Sequence, residues 1–195
     1  MGESDRELME RLKTGDVSAF DVIVQRHKAS LINFACRSVG DQETAEDLAQ
    51  ETFLKVYRNA KRYKGEIAGL RTWMYRILAN LCKNELGSRS RRSQVMVKPA
   101  IGDQDGHDPI ETALDTNPGP DGQLEEKELQ KALTRAISNL PEKLRVVLVL
   151  RDIEGMAYEE ISRIIKKPIG TVKSRINRAR LALKDKMAAY ANLQE

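Results

Sequence analysis

The chain has 195 residues, of which 41% are hydrophobic and 32% are charged, and its formal net charge is +4. These values are typical of a water-soluble protein with one or two small domains, and they exclude a wholly disordered chain. The N-terminus lacks the basic and apolar regions of a signal peptide, and no apolar run approaches the ~18 residues of a membrane span. We therefore expect a cytoplasmic protein without membrane insertion.

Apolar residues recur at helical spacing almost throughout the chain, and no stretch alternates as a half-buried strand would. This pattern predicts an all-α fold in which four N-terminal helices share one core. The first helix is expected to begin at Asp5 as its N-cap, and the second to end at Gly40. Asp41 is then expected to cap the third helix, and the fourth to begin near Leu70.

The two cysteines, Cys36 and Cys82, lie far apart within apolar helical patterns, which favours buried thiols over a disulfide. The two histidines, His27 and His107, are in no metal-ligand spacing with either cysteine. We therefore expect no metal site, no cofactor and no catalytic residue.

Helical periodicity is lost from Ser88 to about Gly122, where Asp, Gly, Pro, Asn and Gln accumulate. This composition predicts a flexible, acidic linker. Nine acidic residues and one lysine lie between residues 103 and 128, a stretch that extends a few residues into the C-terminal domain. We divide the chain into an N-terminal domain, residues 1–90, the linker, residues 91–122, and a C-terminal domain, residues 123–195. About 30 flexible residues span roughly 30 Å on average and at most about 100 Å, so the two domains can bind separated sites.

The C-terminal domain contains a predicted helix-turn-helix. Residues 158–165 are expected to form a short helix, residues 166–168 a turn, and residues 169–180 a second helix. The apolar spacing turns one set of side chains inward: Ile161, Ile165, Val172, Ile176 and Ala179. The outer face of the second helix then carries Lys173, Ser174, Asn177 and Arg178. Further basic residues suited to phosphates are Lys166, Arg175, Arg180 and Lys184.

Arginine can bridge the acceptors of guanine and asparagine can pair with adenine, so this outer face is suited to base edges in the major groove. Between residues 163 and 186, nine basic residues accompany one acid. The alternative is a basic helix that merely faces water. That alternative does not explain why a short helix, a proline-containing turn and a basic outer face occur together, so we predict DNA binding.

Four motifs, at residues 47–57, 71–80, 140–145 and 170–175, resemble in order and spacing the bacterial sigma factors of the extracytoplasmic-function (ECF) group, which is group IV of the sigma-70 family. The resemblance implies a subunit that binds core RNA polymerase and directs promoter-specific transcription initiation. It also implies control by an anti-sigma factor. The C-terminal domain would read the -35 element as duplex through the second helix of the helix-turn-helix: Thr171, Lys173, Ser174, Arg175, Asn177, Arg178 and Arg180.

The same resemblance implies that the N-terminal domain captures and melts the -10 element with a loop and the fourth helix: Lys64, Arg71, Trp73, Arg76, Asn80 and Lys83. Trp73, Arg76, Asn80 and Lys83 share one helix face, and stacking, hydrogen-bonding and cationic groups together suit unstacked bases. The alternative for Trp73 is a place in the core, which is the more common role of a single tryptophan at such a position. The sequence departs from the family at Leu70, where an aromatic residue is common.

The third helix presents acidic and amide side chains in its first half. Acids at this position also stabilise the start of a helix through its dipole, which is the alternative explanation. The resemblance implies that this helix binds a basic coiled-coil of the largest polymerase subunit. The implied residues are Asp47, Leu48, Gln50, Glu51 and Phe53.

Two other classes of protein remain as alternatives. An ordinary helix-turn-helix regulator would explain the C-terminus but not the motifs at residues 47–57 and 71–80. A metal-dependent nucleic-acid enzyme could use Glu46 and Asp47, but neighbouring residues on a helix do not face each other and no other catalytic group converges with them.

Overall fold

The computed structural model describes residues 2–65, 69–96 and 122–191, which contain only helices and connecting segments, as the all-α prediction requires. The described N-terminal half consists of α1 (Asp5–Lys13), α2 (Val17–Val39), α3 (Gln42–Arg58), a 3-10 turn (Ala60–Arg62) and α4 (Leu70–Met96). The described C-terminal half consists of α5 (Gly122–Ser138), α6 (Glu142–Leu148), a π-helical turn (Val149–Ile153), α7 (Tyr158–Ile165) and α8 (Ile169–Ala191). None of these helices carries an apolar stretch long enough to cross a membrane.

Short-range signals fix the ends of the first helices. Gly40 ends α2 with a φ of 78°, and the Asp41 carboxylate accepts the Thr44 N–H at 2.8 Å, so both predictions are confirmed. The predicted N-cap of α1 was wrong by one residue. Ser4 occupies that position because Ser4 and Glu7 form a reciprocal capping box, in which the Ser4 N–H donates to the Glu7 carboxylate at 2.7 Å.

Because Ser4 caps α1, the Asp5 carboxylate is available to bind two side chains of α2. It accepts from the Arg26 guanidinium at 2.5 Å and lies 2.9 Å from His27 Nε2. These contacts hold α1 against α2. Burial lowers the pKa of His27 below its ordinary value, and the nearby Asp5 charge opposes that effect.

The fourth helix is longer than the sequence pattern predicts, since periodicity is lost at Ser88 yet α4 continues to Met96. Polar bonds stabilise the extension in place of apolar contacts. The Arg89 guanidinium donates to Glu85 at 2.8 Å and to Thr44 Oγ1 on α3 at 2.6 Å. The rest of the predicted linker, residues 97–121, lies outside the described residues.

The core of the N-terminal half lies where α2, α3 and α4 meet. Phe34 and Tyr75 are fully buried there, and their rings pack edge to face with centroids 5.2 Å apart. Burying an aromatic side chain of this size contributes about 1.5–3 kcal/mol. Cys36 and Cys82 are buried free thiols, as predicted, and burial raises the pKa of Cys82 to about 12.

The core of the C-terminal half lies between α6, α7 and α8. Ile161 on α7 and Val172 and Ile176 on α8 are buried, as predicted. Ile165 packs against the core as predicted, and Ile164, which the sequence pattern did not indicate, is buried more deeply. Ile164 is only 2% exposed, whereas Ile165 is partly buried at the edge of the core.

The two halves pack against each other, so that their buried residues form one continuous cluster. α4 lies against α7, and α2 lies against α5 and α6. The sequence predicted two domains that can separate; the structure shows them in contact.

Candidate nucleic-acid and protein interfaces

The helix-turn-helix is built from α7, α8 and a tight turn between them. Lys166 ends α7 in the left-handed region with a φ of 51°. The Ser162 hydroxyl donates to the Lys167 carbonyl at 2.6 Å, and the Lys167 N–H donates back to the Ser162 carbonyl at 3.2 Å. Pro168 then precedes the first turn of α8 and its carbonyl accepts the Thr171 N–H at 2.9 Å. These bonds fix the angle at which α8 leaves the turn.

The outer face of α8 carries the side chains expected to read bases. Lys173, Ser174, Asn177 and Arg178 are all exposed, while Val172, Ile176 and Ala179 between them are buried. Thr171 and Arg175 are half-buried at the margins of this face. The centre of the predicted reading surface is therefore open to a partner in this conformation.

Arg180 differs from its neighbours because it is already paired. Its guanidinium donates to both carboxylate oxygens of Asp152, at 3.0 and 2.5 Å, and this hydrogen bonding raises the pKa of Arg180. Asp152 lies in the π-helical turn, so the pair links α8 to the segment that precedes α7. A phosphate that binds Arg180 must compete with this carboxylate.

The first half of α3 presents an acidic surface. Asp47, Gln50 and Glu51 are exposed, and Glu51 pairs with Lys55 at 3.0 Å across one helical turn. Leu48 and Phe53, predicted for the same interface, are only 9% and 7% exposed and lie in the core. They support the shape of α3 and are not part of its exposed surface.

Next to the acidic surface lies an exposed apolar patch that sequence reasoning missed. Leu54 and Tyr57 on α3 are 49% and 44% exposed, and Tyr57 packs against Phe20 of α2 with ring centroids 5.1 Å apart. Val17, at the start of α2, is 52% exposed. Leu54 and Tyr57 follow Asp47 and Gln50 at helical spacing, which was the available signal. The combined surface is acidic at one end and apolar at the other.

The predicted -10 residues lie along α4 and the segment before it. Arg76, Asn80, Lys83 and Lys64 are exposed, and Trp73 is half-buried. The Trp73 ring stacks on Tyr63 with centroids 5.2 Å apart and an interplanar angle of 26°. One face of the Trp73 ring therefore packs against Tyr63, and the side chain is partly buried.

A cavity of about 250 Å³ opens beside this ring pair. It is lined by Trp73 and Arg76, to which the family resemblance assigned a -10 role, and by residues that the sequence did not indicate: Arg62, Tyr63, Thr72 and Arg163. Lys64 also lines it. Two aromatic rings surrounded by cations form an arrangement suited to an unstacked base and its phosphate.

Tyr63 lines this cavity although no sequence motif pointed to it. It is 7% exposed, and burial raises its pKa. A Cβ added at Gly65 would lie 3.3 Å from the Tyr63 ring, which is a tight contact. The absence of a side chain at Gly65 therefore lets the backbone pass close to the Tyr63 ring. In the sequence, the glycine two residues after Tyr63 was the feature that could have pointed to this ring.

Arg71, at the start of α4, is held by the C-terminal half. Its Nη2 donates to the backbone carbonyl of Glu154 at 2.5 Å and to the Glu154 carboxylate at 3.2 Å. The residue predicted to bind DNA is thus occupied by a partner in the same chain.

Within the described ranges, no group of three or more His, Cys, Asp or Glu side chains is placed to hold a metal ion. Glu46 and Asp47, the candidate carboxylates of an enzyme, both lie exposed on α3, and Glu46 accepts from the Gln42 amide at 2.6 Å. The surfaces described above are suited to binding macromolecules.

Comparison with protein families gives two matches that cover most of the described helices. The family model described as Sigma-70 region 2 matches residues 23–92, and the one described as Sigma-70, region 4 matches residues 130–183. The first match includes α3 and most of α4, and the second includes α7, the turn and most of α8.

Full-length relatives agree with these matches. The chain is 38% identical over 184 residues to the RNA polymerase sigma-H factor of Pseudomonas aeruginosa, which covers 93% of this chain and 92% of that protein. It is 36% identical over 187 residues to the ECF RNA polymerase sigma-E factor of Escherichia coli K12, covering 94% of each. The fold is similar to that of the sigma factor RpoE from Bartonella quintana, which was solved in complex with the anti-sigma factor NepR. The TM-score is 0.66 and the sequence identity is 24%, and the match covers 87% of this chain and 96% of that one. The chain therefore belongs to the extracytoplasmic-function group of the sigma-70 family of bacterial RNA polymerase sigma factors.

Proposed function

We propose that three separate surfaces of this sigma factor carry out promoter recognition: α3 binds core RNA polymerase, α4 captures the melted -10 element, and α8 reads the -35 duplex. The observation that carries the proposal is the outer face of α8, where four polar residues stand exposed between buried apolar ones. Residues 1–90 and 123–195 would act as the two working domains, and residues 91–122 as the tether between them.

For the -35 element, base reading is assigned to the exposed centre of α8, where Asn177 and Arg178 can form paired hydrogen bonds with base edges. Phosphate contacts at its margins would fix the register. The full set proposed is Thr171, Lys173, Ser174, Arg175, Asn177, Arg178 and Arg180. Arg180 would contribute least, because Asp152 competes for it.

For the -10 element, the cavity beside Trp73 would hold an unstacked base. The exposed cations and amide along α4 would hold the strand that leads to it. The residues proposed are Lys64, Arg71, Trp73, Arg76, Asn80 and Lys83, and Tyr63 and Arg62 are added because they line the same cavity.

For core polymerase, the exposed Asp47, Gln50 and Glu51 would contact a basic coiled-coil of the largest subunit. Leu48 and Phe53 would anchor α3 to the core on its opposite side. The exposed Leu54 and Tyr57 would add apolar contact beside the charged one. Charge complementarity speeds encounter and selects the partner, whereas a buried aromatic anchor contributes more to affinity.

In this proposal the chain acts in the cytoplasm by binding promoter DNA and positioning it on the polymerase. The polymerase forms the phosphodiester bonds, and the chain itself needs no cofactor. Control by an anti-sigma factor is part of the proposal. Its support is the group to which the chain belongs and the similarity of its fold to a sigma factor solved with such a partner.

A transcription assay with purified core polymerase tests the proposal. Core polymerase with the wild-type chain should give run-off transcripts from promoters selected out of a random pool, and neither component alone should do so. Asp47→Lys should abolish capture of core while leaving the helical content unchanged, because it reverses a charge in the acidic surface. Asp185→Lys, the same charge change at an exposed position of α8, is the matched control. Unchanged capture of core by Asp47→Lys would refute the α3 assignment.

A further inference from the structure

We propose that the second half of α4 holds the DNA duplex upstream of the -10 element: Arg91 binds a backbone phosphate there, and Gly87 lets the backbone approach the helix. The ligand is the sugar-phosphate backbone of the promoter spacer, whatever its base sequence. This inference rests on the proposed role of the first half of α4 in binding the melted -10 element.

The face of α4 that carries the proposed -10 residues continues far beyond them. Successive residues of an α-helix turn by about 100°, so the side chains at 73, 76, 80, 83, 87 and 91 fall within about 60° of one line along the helix. The face is half-buried at Trp73 and exposed at the positions that follow: Arg76, Asn80, Lys83, Gly87 and Arg91. With a rise of 1.5 Å per residue, it is about 27 Å long from Trp73 to Arg91.

The three arginines near the end of α4 have different surroundings. Arg89 donates to the Glu85 carboxylate at 2.8 Å and to Thr44 Oγ1 at 2.6 Å, and Arg92 donates to the same Glu85 oxygen at 3.2 Å. Arg91 is exposed, and the described residues give it no ion pair. Glu85 is the single acidic residue in the sequence of α4. A phosphate that binds Arg91 therefore has no carboxylate to displace.

Gly87 leaves a gap in this face. A glycine inside a helix costs about 1 kcal/mol relative to alanine. A Cβ added at Gly87 would meet nothing within 4 Å, so packing within the described chain does not require a glycine there. Lys83 and Arg91 lie about one helical turn to either side of the gap. Bare helix backbone between two cations lets a phosphate backbone approach closely while both charges reach it.

The order of the chain gives the direction in which this face points. The predicted linker follows α4 and leads to the C-terminal half, for which reading of the upstream -35 element is proposed. The end of α4 therefore faces the spacer, and the base-capture cavity beside Trp73 lies at the other end of the same face. A length of about 27 Å corresponds to roughly eight base pairs of duplex, so Arg91 meets the spacer about that far upstream of the captured base.

Forked promoter probes of two lengths test the contact with core polymerase carrying each variant of the full chain. Both fluorescein-labelled probes hold the same melted -10 strand and no -35 element. The duplex extends about three base pairs upstream of the captured base in the short fork and about fourteen in the long fork. Arg91→Ala should weaken binding of the long fork about three- to tenfold and leave the short fork unchanged. The slope of log affinity against log salt should decrease by about one for the long fork.

Arg92→Ala is the matched control, because it removes the same charge from the neighbouring position, where the guanidinium is paired with Glu85. It should leave both probes unchanged. Equal effects of Arg91→Ala and Arg92→Ala on the long fork would overturn the proposal. An equal loss on both forks in Arg91→Ala would do the same, because the contact would then lie outside the spacer.

Gly87→Gln tests the gap without removing a charge. Glutamine is a better helix former than glycine, so a loss of binding in this variant cannot come from a weaker helix. The variant should bind the long fork less tightly and the short fork as the wild-type chain does, because the added side chain holds the duplex away from α4. Unchanged binding of the long fork would refute the role of Gly87.

Asn80→Ala separates this proposal from the proposed function of α4, because Asn80 is exposed and belongs to the -10 residues. It should weaken both forks equally. If Asn80→Ala has no effect while Arg91→Ala weakens the long fork, the spacer contact stands and the -10 role of Asn80 is refuted. If Asn80→Ala weakens both forks while Arg91→Ala changes neither, the -10 role stands and the spacer contact is refuted.

Discussion

The replacement of Arg178 by alanine is the sharpest test of how α8 reads DNA. Arg178 lies at the centre of the exposed face, one residue from Asn177, and the described residues offer it no ion pair that would have to break first. A guanidinium that bridges two acceptors of guanine contributes about 1–3 kcal/mol of discrimination. At 1.4 kcal/mol per factor of ten, Arg178→Ala should weaken binding to the selected -35 element by a factor of roughly 5 to 150.

Arg180→Ala is the matched control on the same helix. The guanidinium of Arg180 is bound by Asp152 at 3.0 and 2.5 Å, so a phosphate contact replaces an existing exposed ion pair worth about 0.2–1 kcal/mol. We expect a smaller loss of affinity, equal for selected and scrambled -35 sequences. The dependence of affinity on salt should also decrease slightly, because fewer phosphates are neutralised.

The assay measures the affinity of polymerase carrying each variant for two promoters that differ only in the -35 element, across a series of salt concentrations. Arg178→Ala should lose affinity for the selected promoter and little for the scrambled one. An equal loss on both promoters would assign Arg178 to the phosphate backbone. No loss on either would refute the assignment of α8 as the reading helix.

Three further predictions concern stability and are measured by urea denaturation. Ile164→Ala should lower the free energy of unfolding by about 2–5 kcal/mol because Ile164 is fully packed, and Ile165→Ala should cost clearly less; the reverse order would contradict the placement of α7. Ser4→Ala should cost about 1 kcal/mol through loss of the capping box, and an unchanged midpoint would mean that Ser4 does not cap α1. Because burial lowers the pKa of His27, the unfolded chain binds the proton more tightly. The stability associated with His27 is therefore fully present above its ordinary pKa of 6.5 and is lost as the pH falls below that value. His27→Gln should reduce this loss, and an unaltered slope between about pH 7.5 and 5.5 would show that His27 does not titrate as described.

The features that could be predicted from the sequence are those set by neighbours in the chain. The left-handed Gly40, the cap at Asp41 and the inward side of α8 all follow from residues within one or two helical turns. The error at Asp5 is a displacement by one residue, because the capping box at Ser4 prevails over the nearest pattern match. The burial of Ile164 was missed, because Ile165 fitted the four-residue spacing from Ile161.

The features that could not be predicted depend on contacts between distant parts of the chain. Arg71 and Glu154 are 83 residues apart, and no local pattern indicates that one holds the other. The same holds for Arg163, which reaches the cavity beside Trp73 only because α7 packs on α4. The extension of α4 beyond Ser88 was missed because the polar bonds of Arg89 leave no apolar signal.

The two thiols described in the core have a consequence for how a stress signal can reach this chain. Cys36 and Cys82 are both buried, and burial raises the pKa of each, so the thiolate that reacts with oxidants is scarce at neutral pH. Peroxide or a disulfide reagent should therefore leave these two thiols unmodified on the timescale on which it modifies an exposed cysteine. An oxidative stimulus is therefore not expected to act on this sigma factor through Cys36 or Cys82.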